Sequence, residues 1–394
     1  MASSSKLSHA VSVSNTGAPV LPPDALFEVL LRLPAKDLCR LRAVCRSWRA
    51  LTSDPRFAAE HKSRHAEPLF AVTFRDGDVS GVAIVSLSGQ ILRRIPFGSD
   101  RIELLLTHFD RLCVIRMCKP SLAAWVLNPA TAAPLTLPGL HSDEFVGSCI
   151  EHRFDFGSYV SHNCKTVTYA FGQVASTGDY KVLRISHPHL DDLSQPLLCD
   201  IITLDGSSQG RWRTKQNPPS NLWREGIMEC LAVNTVVHFF FDYGLMEPTS
   251  IAPFDLDTEK WMPTLRGPEP LRSAKFGFIY LRAFSLANLN GSLVIVDNDF
   301  GNSNFDVWFL LDHKRGLWVK KYSLSVENIR DDARPLLILD DGRIVFFDIV
   351  IDTVKRLLQC YDPTTGNLAD VLDFEAIGLA ESKSIAVYTG SLLI

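Results

Sequence analysis

The chain has 394 residues, 46% hydrophobic and 21% charged, a composition that folds and a length that exceeds one ordinary core. Its 40 Lys and Arg against 44 Asp and Glu leave a net charge of −4, which argues against a general nucleic-acid or membrane-surface protein. No apolar run approaches the ~18 residues of a membrane helix. The nine cysteines, at positions 39, 45, 113, 118, 149, 164, 199, 230 and 360, form no C-x-x-C pair. They fit free thiols of a reducing compartment, not a disulfide framework or structural zinc. The one glycosylation sequon, Asn290-Gly291-Ser292, reads as a hairpin turn.

Residues 1–20, MASSSKLSHAVSVSNTGAPV, are Ser-rich and free of acids. They lack a signal-peptide core and are expected to be a disordered leader. Charge and composition then change together. Residues 21–65 carry nine Lys/Arg and five Asp/Glu and contain no glycine, whereas 66–394 carry 30 basic and 39 acidic residues.

Residues 21–65 are helical in pattern. Pro23 and Asp24 suit a first helical turn. Leu26, Leu30 and Leu33 recur at helical spacing until Pro34 stops the helix. A second helix should carry Leu38, Leu41, Val44, Cys45 and Trp48 on one side, with Arg40, Arg42, Arg46 and Arg49 mostly on the other. Ser53-Asp54-Pro55 starts a third helix through Phe57 toward Arg64. Three short helices cannot bury all these leucines by themselves, so the surplus covers the next domain or a partner. A helix-turn-helix is the competing pattern. It lacks a row of Asn, Gln and Arg free for base edges.

The stretches LPPD at 21–24, LPAKDL at 33–38, RAVCRSWR at 42–49 and SDPRF at 53–57 together resemble a plant F-box, complete and in order. That resemblance implies a three-helix unit that binds the Skp-family adaptor of a cullin-type ubiquitin ligase. Carried over by position, the contacts are Leu21, Pro22, Leu26, Leu30, Leu33, Pro34, Leu38, Val44, Cys45 and Trp48. Some of these instead hold the helices together, and the sequence does not separate the two sets.

From residue 66, short apolar runs alternate with turn signals. One pattern recurs: an apolar strand, Asn or Asp, a turn, often Trp, then Leu or Pro. Its copies centre on Asn128, Asp205, Asp255, Asp312 and Asp362, with a weaker one at Ser88. An Asn or Asp at a strand end starts a turn through its own side chain. Hairpin signals (Asp-Gly and Asn-Gly) lie between the copies, in FRDGDVSGVAIV, LNGSLVIVDND and LDDGRIVFFDIV. Units of about four strands imply a propeller of roughly 40 to 50 residues per blade. About six blades are expected, with the terminal run SIAVYTGSLLI completing the first beside residues 68–75. The 77-residue step from Asn128 to Asp205 is one long blade or hides another.

The phrases FGQVASTGDYKVLRI, VVHFFF, FDLDTEKW, LANLNGSLVIV, FDVWFLLDHKRGLWVKKYSL and YDPTTGNL resemble the F-box-associated domain of plants. Residues 139–165 and 187–197 depart from the repeat, and the Asn234-Thr235 turn lacks the usual Gly. Five tryptophans at 125, 212, 261, 308 and 318 fall at the copies and read as blade-to-blade packing. Trp223 and Arg224 fall in a loop signature and are the expected target contact, in the mix of residue types found at hot spots.

No phosphate loop or zinc-protease motif occurs. His187-Pro188-His189 with Asp191 and Asp192 is a weak metal pattern. No metal or cofactor is expected. Together these readings give a small all-α F-box over 21–65 and an all-β propeller over 66–394. They imply a non-catalytic receptor in a ubiquitin ligase of the nucleus or cytoplasm, partnered by the Skp adaptor, through it a cullin, and a protein target. A propeller enzyme and a non-ligase scaffold are the alternatives.

Overall fold

A computed structural model of the chain describes residues 22–33, 35–64, 67–116, 123–138, 166–187, 196–204, 210–220, 222, 230–241, 247, 249–272, 282–299, 304–325, 333–350, 355–379 and 384–391. Two compact units result, one over Met1–Ala66 with Leu393–Ile394 and one over Glu67–Leu392.

Among the described residues the first unit has four helices: α1 (Pro23–Leu31), α2 (Ala35–Leu41), α3 (Arg46–Thr52) and α4 (Pro55–Arg64). The single second helix expected from the sequence is two. After Leu41 the turn tightens, with Ala43 and Val44 donating to carbonyls three residues back at 3.1 and 3.0 Å. Cys45 is then extended, at φ −156° and ψ 167°. Val44 and Cys45 are weak helix formers. Breaking there lets Trp48 fold back onto the core that Leu38 already occupies. The break is held by Arg42, which donates to the Thr52 carbonyl at 3.0 Å, and by Arg49, which donates to the Arg42 carbonyl at 3.2 Å.

The second unit is a six-bladed propeller. Blade II comprises Ile102–Leu104, Leu112–Arg116, Ala124–Asn128 and Ala133–Thr136. Blade III comprises Thr166–Gln173, Tyr180–His187, Leu198–Leu204 and Arg213–Lys215. Blade IV comprises Cys230–Val233, Val236–Phe240, Ile251–Asp255 and Lys260–Trp261. Blade V comprises Arg282–Leu289, Ser292–Asp299, Asn304–Asp312 and Leu317–Ser325. Blade VI comprises Arg334–Ile338, Ile344–Val350, Lys355–Asp362 and Asn367–Asp373. Each is an antiparallel meander.

Blade I takes three strands from the start of the domain, Leu69–Asp76, Val79–Ser86 and Ile91–Gly98, and its inner strand from the far end, Ile385–Tyr388. Leu69 to Val72 pair with Tyr388 to Ile385 in register. On its other side that strand meets His108–Phe109, with Val387 and Thr389 donating to the Thr107 and Phe109 carbonyls. The closing strand therefore has partners on both edges, and the ring removes the open edges of its first and last blades. The 77-residue step runs from blade II into blade III, and the described strands on either side of it form one sheet each.

Blades pack by strand alternation. Val345 and Phe347 enter the core shared with blade I, while Ile344 and Phe346 enter the core shared with blade V. A strand buried on both faces reads as a continuous apolar run, which is why RIVFF and SLVIV do not alternate. Each fully buried side chain of this size contributes about 1.5–3 kcal/mol.

The recurring Asn or Asp is a repeated turn at the end of the third strand. The backbone N–H two residues on donates to Asn128 Oδ1 at 3.0 Å, to Asp255 Oδ1 at 2.9 Å, to Asp312 Oδ1 at 2.9 Å and to Asp362 Oδ1 at 2.8 Å. Asp205 lies outside the described residues. The residue four positions on takes positive φ: Ala132 at 57°, Glu259 at 55°, Gly316 at 60° and Gly366 at 72°. Asn290 and Gly291 both have positive φ, at 52° and 82°, the two-residue hairpin expected of Asn-Gly. Asn234, at φ 55°, adopts the same region without a glycine, which asparagine tolerates.

Candidate protein-interaction site

The helical unit sorts its apolar residues into two sets. Leu30, Leu31, Leu38, Phe57 and Ala58 form a closed core, with Leu26, Phe27, Leu33, Leu41, Trp48 and Leu51 packed on it. Phe27 meets Phe57 edge-on at 5.1 Å. His61 is buried and sits 2.8 Å from the Leu33 carbonyl. Arg64 clamps Glu28 with two bonds of 2.9 and 3.1 Å, tying α4 to α1. Asp54 starts α4, accepting from the Arg56 N–H at 2.7 Å.

The second set faces outward. Val44 is 61% exposed and Val29 48%; Pro22 and Cys45 are exposed as well. Arg40, Arg46 and Arg49 are exposed on the same segment. The Ser47 hydroxyl, 3.1 Å from the Cys45 sulfur, lowers the thiol below its ordinary value, helped by the Trp48 backbone. The tight turn over 42–45 thus presents an apolar residue and a thiol, flanked by guanidinium groups, on a helical core that needs neither for its own packing.

Of the ten residues expected at an adaptor, Leu30 and Leu38 lie inside the helical core, and Leu26, Leu33 and Trp48 pack against it. Pro22, Val44 and Cys45 are exposed. Leu21 and Pro34 lie outside the described residues. Val29 was missed by the sequence reading. Its signal is an apolar residue next to Leu30 and Leu31, both fully buried, on a helix face that the core does not use.

In the propeller, tryptophans latch neighbouring blades. Trp212 donates to the Pro138 carbonyl, Trp261 to the Gln216 carbonyl and Trp318 to the Arg266 carbonyl, each at 2.8 Å. Each indole belongs to the outer part of one blade, and each carbonyl to the chain leaving the blade before it. Arg184 stacks 4.2 Å from the Trp212 ring and pairs with Asp200 at 2.7 Å. These tryptophans hold the ring together. Glu259 does the same with charge, binding Lys181 at 2.8 Å, Arg213 at 2.5 Å, and Lys215 of blade III. Burial pushes its carboxyl up, but these three cations outweigh that and hold it at about 2.

His187 is buried, 3.0 Å from the Thr168 hydroxyl. His189, Asp191 and Asp192 lie outside the described residues, and no group of three metal-ligating side chains occurs among the described ones. Trp223 and Arg224 also lie outside them. Strand direction alternates within each blade. The first-to-second and third-to-fourth turns therefore open on one side of the ring, and the remaining connections on the other.

The F-box domain family matches residues 19–59. The F-box associated beta propeller domain family matches residues 102–389, most of the chain. This chain belongs to the F-box proteins with an F-box-associated β-propeller. Relatives come from Arabidopsis thaliana. An F-box/LRR-repeat protein is 26% identical over 86% of this chain and 76% of its own length. An F-box/kelch-repeat protein is 25% identical over 83% and 85%. A further F-box protein is 23% identical over 95% and 92%. In this F-box protein, then, Val44, Cys45 and their arginines lie inside the F-box match, and the Trp and Glu259 latches lie inside the propeller match.

Proposed function

We propose that this F-box protein is the substrate-recognition subunit of a Skp–cullin–F-box ubiquitin ligase. The helical unit docks on the Skp adaptor and the propeller presents a protein target. What carries the reading is the exposed Val44–Cys45 turn with Arg40, Arg46 and Arg49 beside it, within the segment that matches the F-box family. An apolar centre ringed by cations suits helices of an acidic partner: burial supplies affinity, and charge supplies orientation and encounter rate.

The chain then has no bond to make or break. Its contribution is positional, raising the effective concentration of target lysines near a charged conjugating enzyme. The ligase acts in the nucleus or cytoplasm, where the adaptor and free thiols coexist. Trp223 and Arg224 are proposed as target contacts.

Val44→Glu tests the docking. Its side chain takes no part in the helical core, so the thermal transition should stay in place while affinity for purified Skp adaptor falls at least tenfold in titration calorimetry. Unchanged affinity would remove the turn from the interface and leave the F-box helices with a role only in this chain's own fold.

A further inference from the structure

Blade V carries a second surface that neither the adaptor nor the long connections account for. Among the described residues, exposed large apolar side chains occur singly on blades I, II, III and VI, at Val79, Leu135, Leu198 and Val371. Single exposed residues of that kind are ordinary. On blade V three fall within nine residues: Leu311 is 63% exposed, Leu317 50% and Val319 43%. The strand register places them together. Leu317 faces Asp312 and Val319 faces Phe309, while Leu311 is the extra residue of a bulge between those pairs.

The same hairpin is basic. Residues 311–321 hold Lys314, Arg315, Lys320 and Lys321 against Asp312 alone, inside a region of 30 basic and 39 acidic residues. Arg315 approaches Asp312 at 3.7 Å and Lys320 binds Asp306 at 3.1 Å. Lys314 and Lys321 have no ion-pair partner among the described residues, and Lys321 lies over the rings of Phe309 and Tyr322 at 5.0 and 5.4 Å. Lys321 is itself the extra residue of a second bulge, between the Val307–Tyr322 and Trp308–Lys320 pairs. Bulges and lysines obstruct the addition of a further strand. The surface therefore works through side chains, not through the edge's backbone.

We propose that the blade V hairpin 311–321 is a docking surface for an extended acidic segment of a partner protein that carries apolar residues at alternate positions. Leu317 and Val319 are two apart on one strand and point to the same side, so they match apolar groups spaced by two on the partner. Lys314, Arg315 and Lys321 face the acidic residues between and beside them. Nucleic acid fits less well, because the centre of the patch is aliphatic and gives bases nothing to stack on. The surface lies wholly within the propeller and stands or falls independently of adaptor docking.

The test is fluorescence anisotropy on the full chain with a fluorescein-labelled synthetic peptide of alternating Asp/Glu and Leu/Val. Saturable binding that weakens as salt rises is expected, with none for the same peptide bearing Lys in place of its acids. Lys314→Glu with Lys321→Glu, and separately Leu317→Ser with Val319→Ser, should each weaken it at least tenfold. Both pairs are exposed, so thermal melting should show a retained fold. Absence of saturable binding, or affinity unchanged in both variants, overturns the proposal. So does displacement by an oligonucleotide with no need of the apolar pair. Self-association of the wild type that Leu317→Ser abolishes in sedimentation would instead assign the surface to a second copy of this chain.

Discussion

The helical unit and the propeller dispose of their apolar residues in opposite ways. In the propeller an inner strand feeds two cores, one on either side, as Phe346 and Phe347 do for blades V and I. Its polar latches, from Trp212 to Pro138 or Glu259 to Lys181, also run from blade to blade. The helical unit has one core, built on Leu30, Leu38 and Phe57, and leaves Val29 and Val44 outside it. A ring can bury its inner strands on both faces because every blade has two neighbours. The four short helices share one inside, and residues that face away from it stay exposed.

If that contrast is right, the most damaging change is one that opens the ring. Deleting residues 384–394 removes the strand that pairs with Leu69–Val72 on one edge and His108–Phe109 on the other. It also removes Ser384, whose hydroxyl accepts from the Leu104 N–H at 2.7 Å and lies 3.4 Å from that of Thr73. The expected result is an aggregating protein without a cooperative propeller transition in calorimetry. A soluble deletion with an unmoved transition would mean that closure contributes little.

Phe57→Ala asks whether the two units are independent in energy. The ring is fully buried against Phe27, and such truncations cost about 3–5 kcal/mol. A unit of this size rarely has more to lose. Helical circular dichroism and adaptor binding should collapse while the propeller transition stays within a degree or so. A parallel fall in the propeller's midpoint would show that the units stabilise each other.

Much of this contrast was legible in the residues, for separate reasons. Five strand-Asx-turn phrases and a weaker one at Ser88 predict blades because an Asx turn needs only local chemistry, which position 128 and position 362 display equally. Ring closure by the last strand followed from the same count. The helical unit was harder. A 3.6-residue stripe cannot tell Leu38, which packs inward, from Val44, which does not, because the break at 42–45 depends on Arg42 and Arg49 bonding across it. Burial of His187 was equally hidden: the H-x-H spacing resembles a ligand pair, whereas the blade III sheet sets this imidazole against Thr168.

Acid should weaken the propeller in two steps, both with the same sign. Burial, with His313 nearby, pushes His238 from 6.5 down to about 3, so its ring is neutral in the fold. Below pH ~6.5 the unfolded chain takes up a proton that the native state refuses, and stability falls from there toward pH 3. Glu259, held at about 2 against an ordinary 4.5, contributes stability that is complete above pH ~4.5 and is lost as pH falls toward 2. Burial also pushes His108 down to about 4, so His238→Asn should shrink the upper step without removing it, and Glu259→Gln should flatten the lower one in urea melts across that range. A wild-type propeller transition that is level from pH 7 to pH 3 would contradict the buried neutral imidazole.

The smallest expected effect tests whether the repeated turn is one device or several. Ala132 holds φ 57° at the position where Gly316 and Gly366 hold 60° and 72°, and its N–H donates to the Asn128 carbonyl at 2.9 Å, as Gly366 does to Asp362 at 2.8 Å. A left-handed residue with a Cβ costs about 1–2 kcal/mol, which glycine avoids. Glycine in turn gives the unfolded chain about 0.4–1 kcal/mol of extra freedom. The difference favours Ala132→Gly by about 0.5 kcal/mol, a rise of about one degree for a domain this large. Gly366→Ala, the reverse change in the sister turn, should lower the midpoint by a comparable amount. Opposite signs for the two variants would establish that blades II and VI use the same backbone geometry and differ only in how well their residues suit it. If Ala132→Gly destabilises instead, the blade II turn draws on its methyl group for packing, and the repeat is equivalent in shape but not in energy.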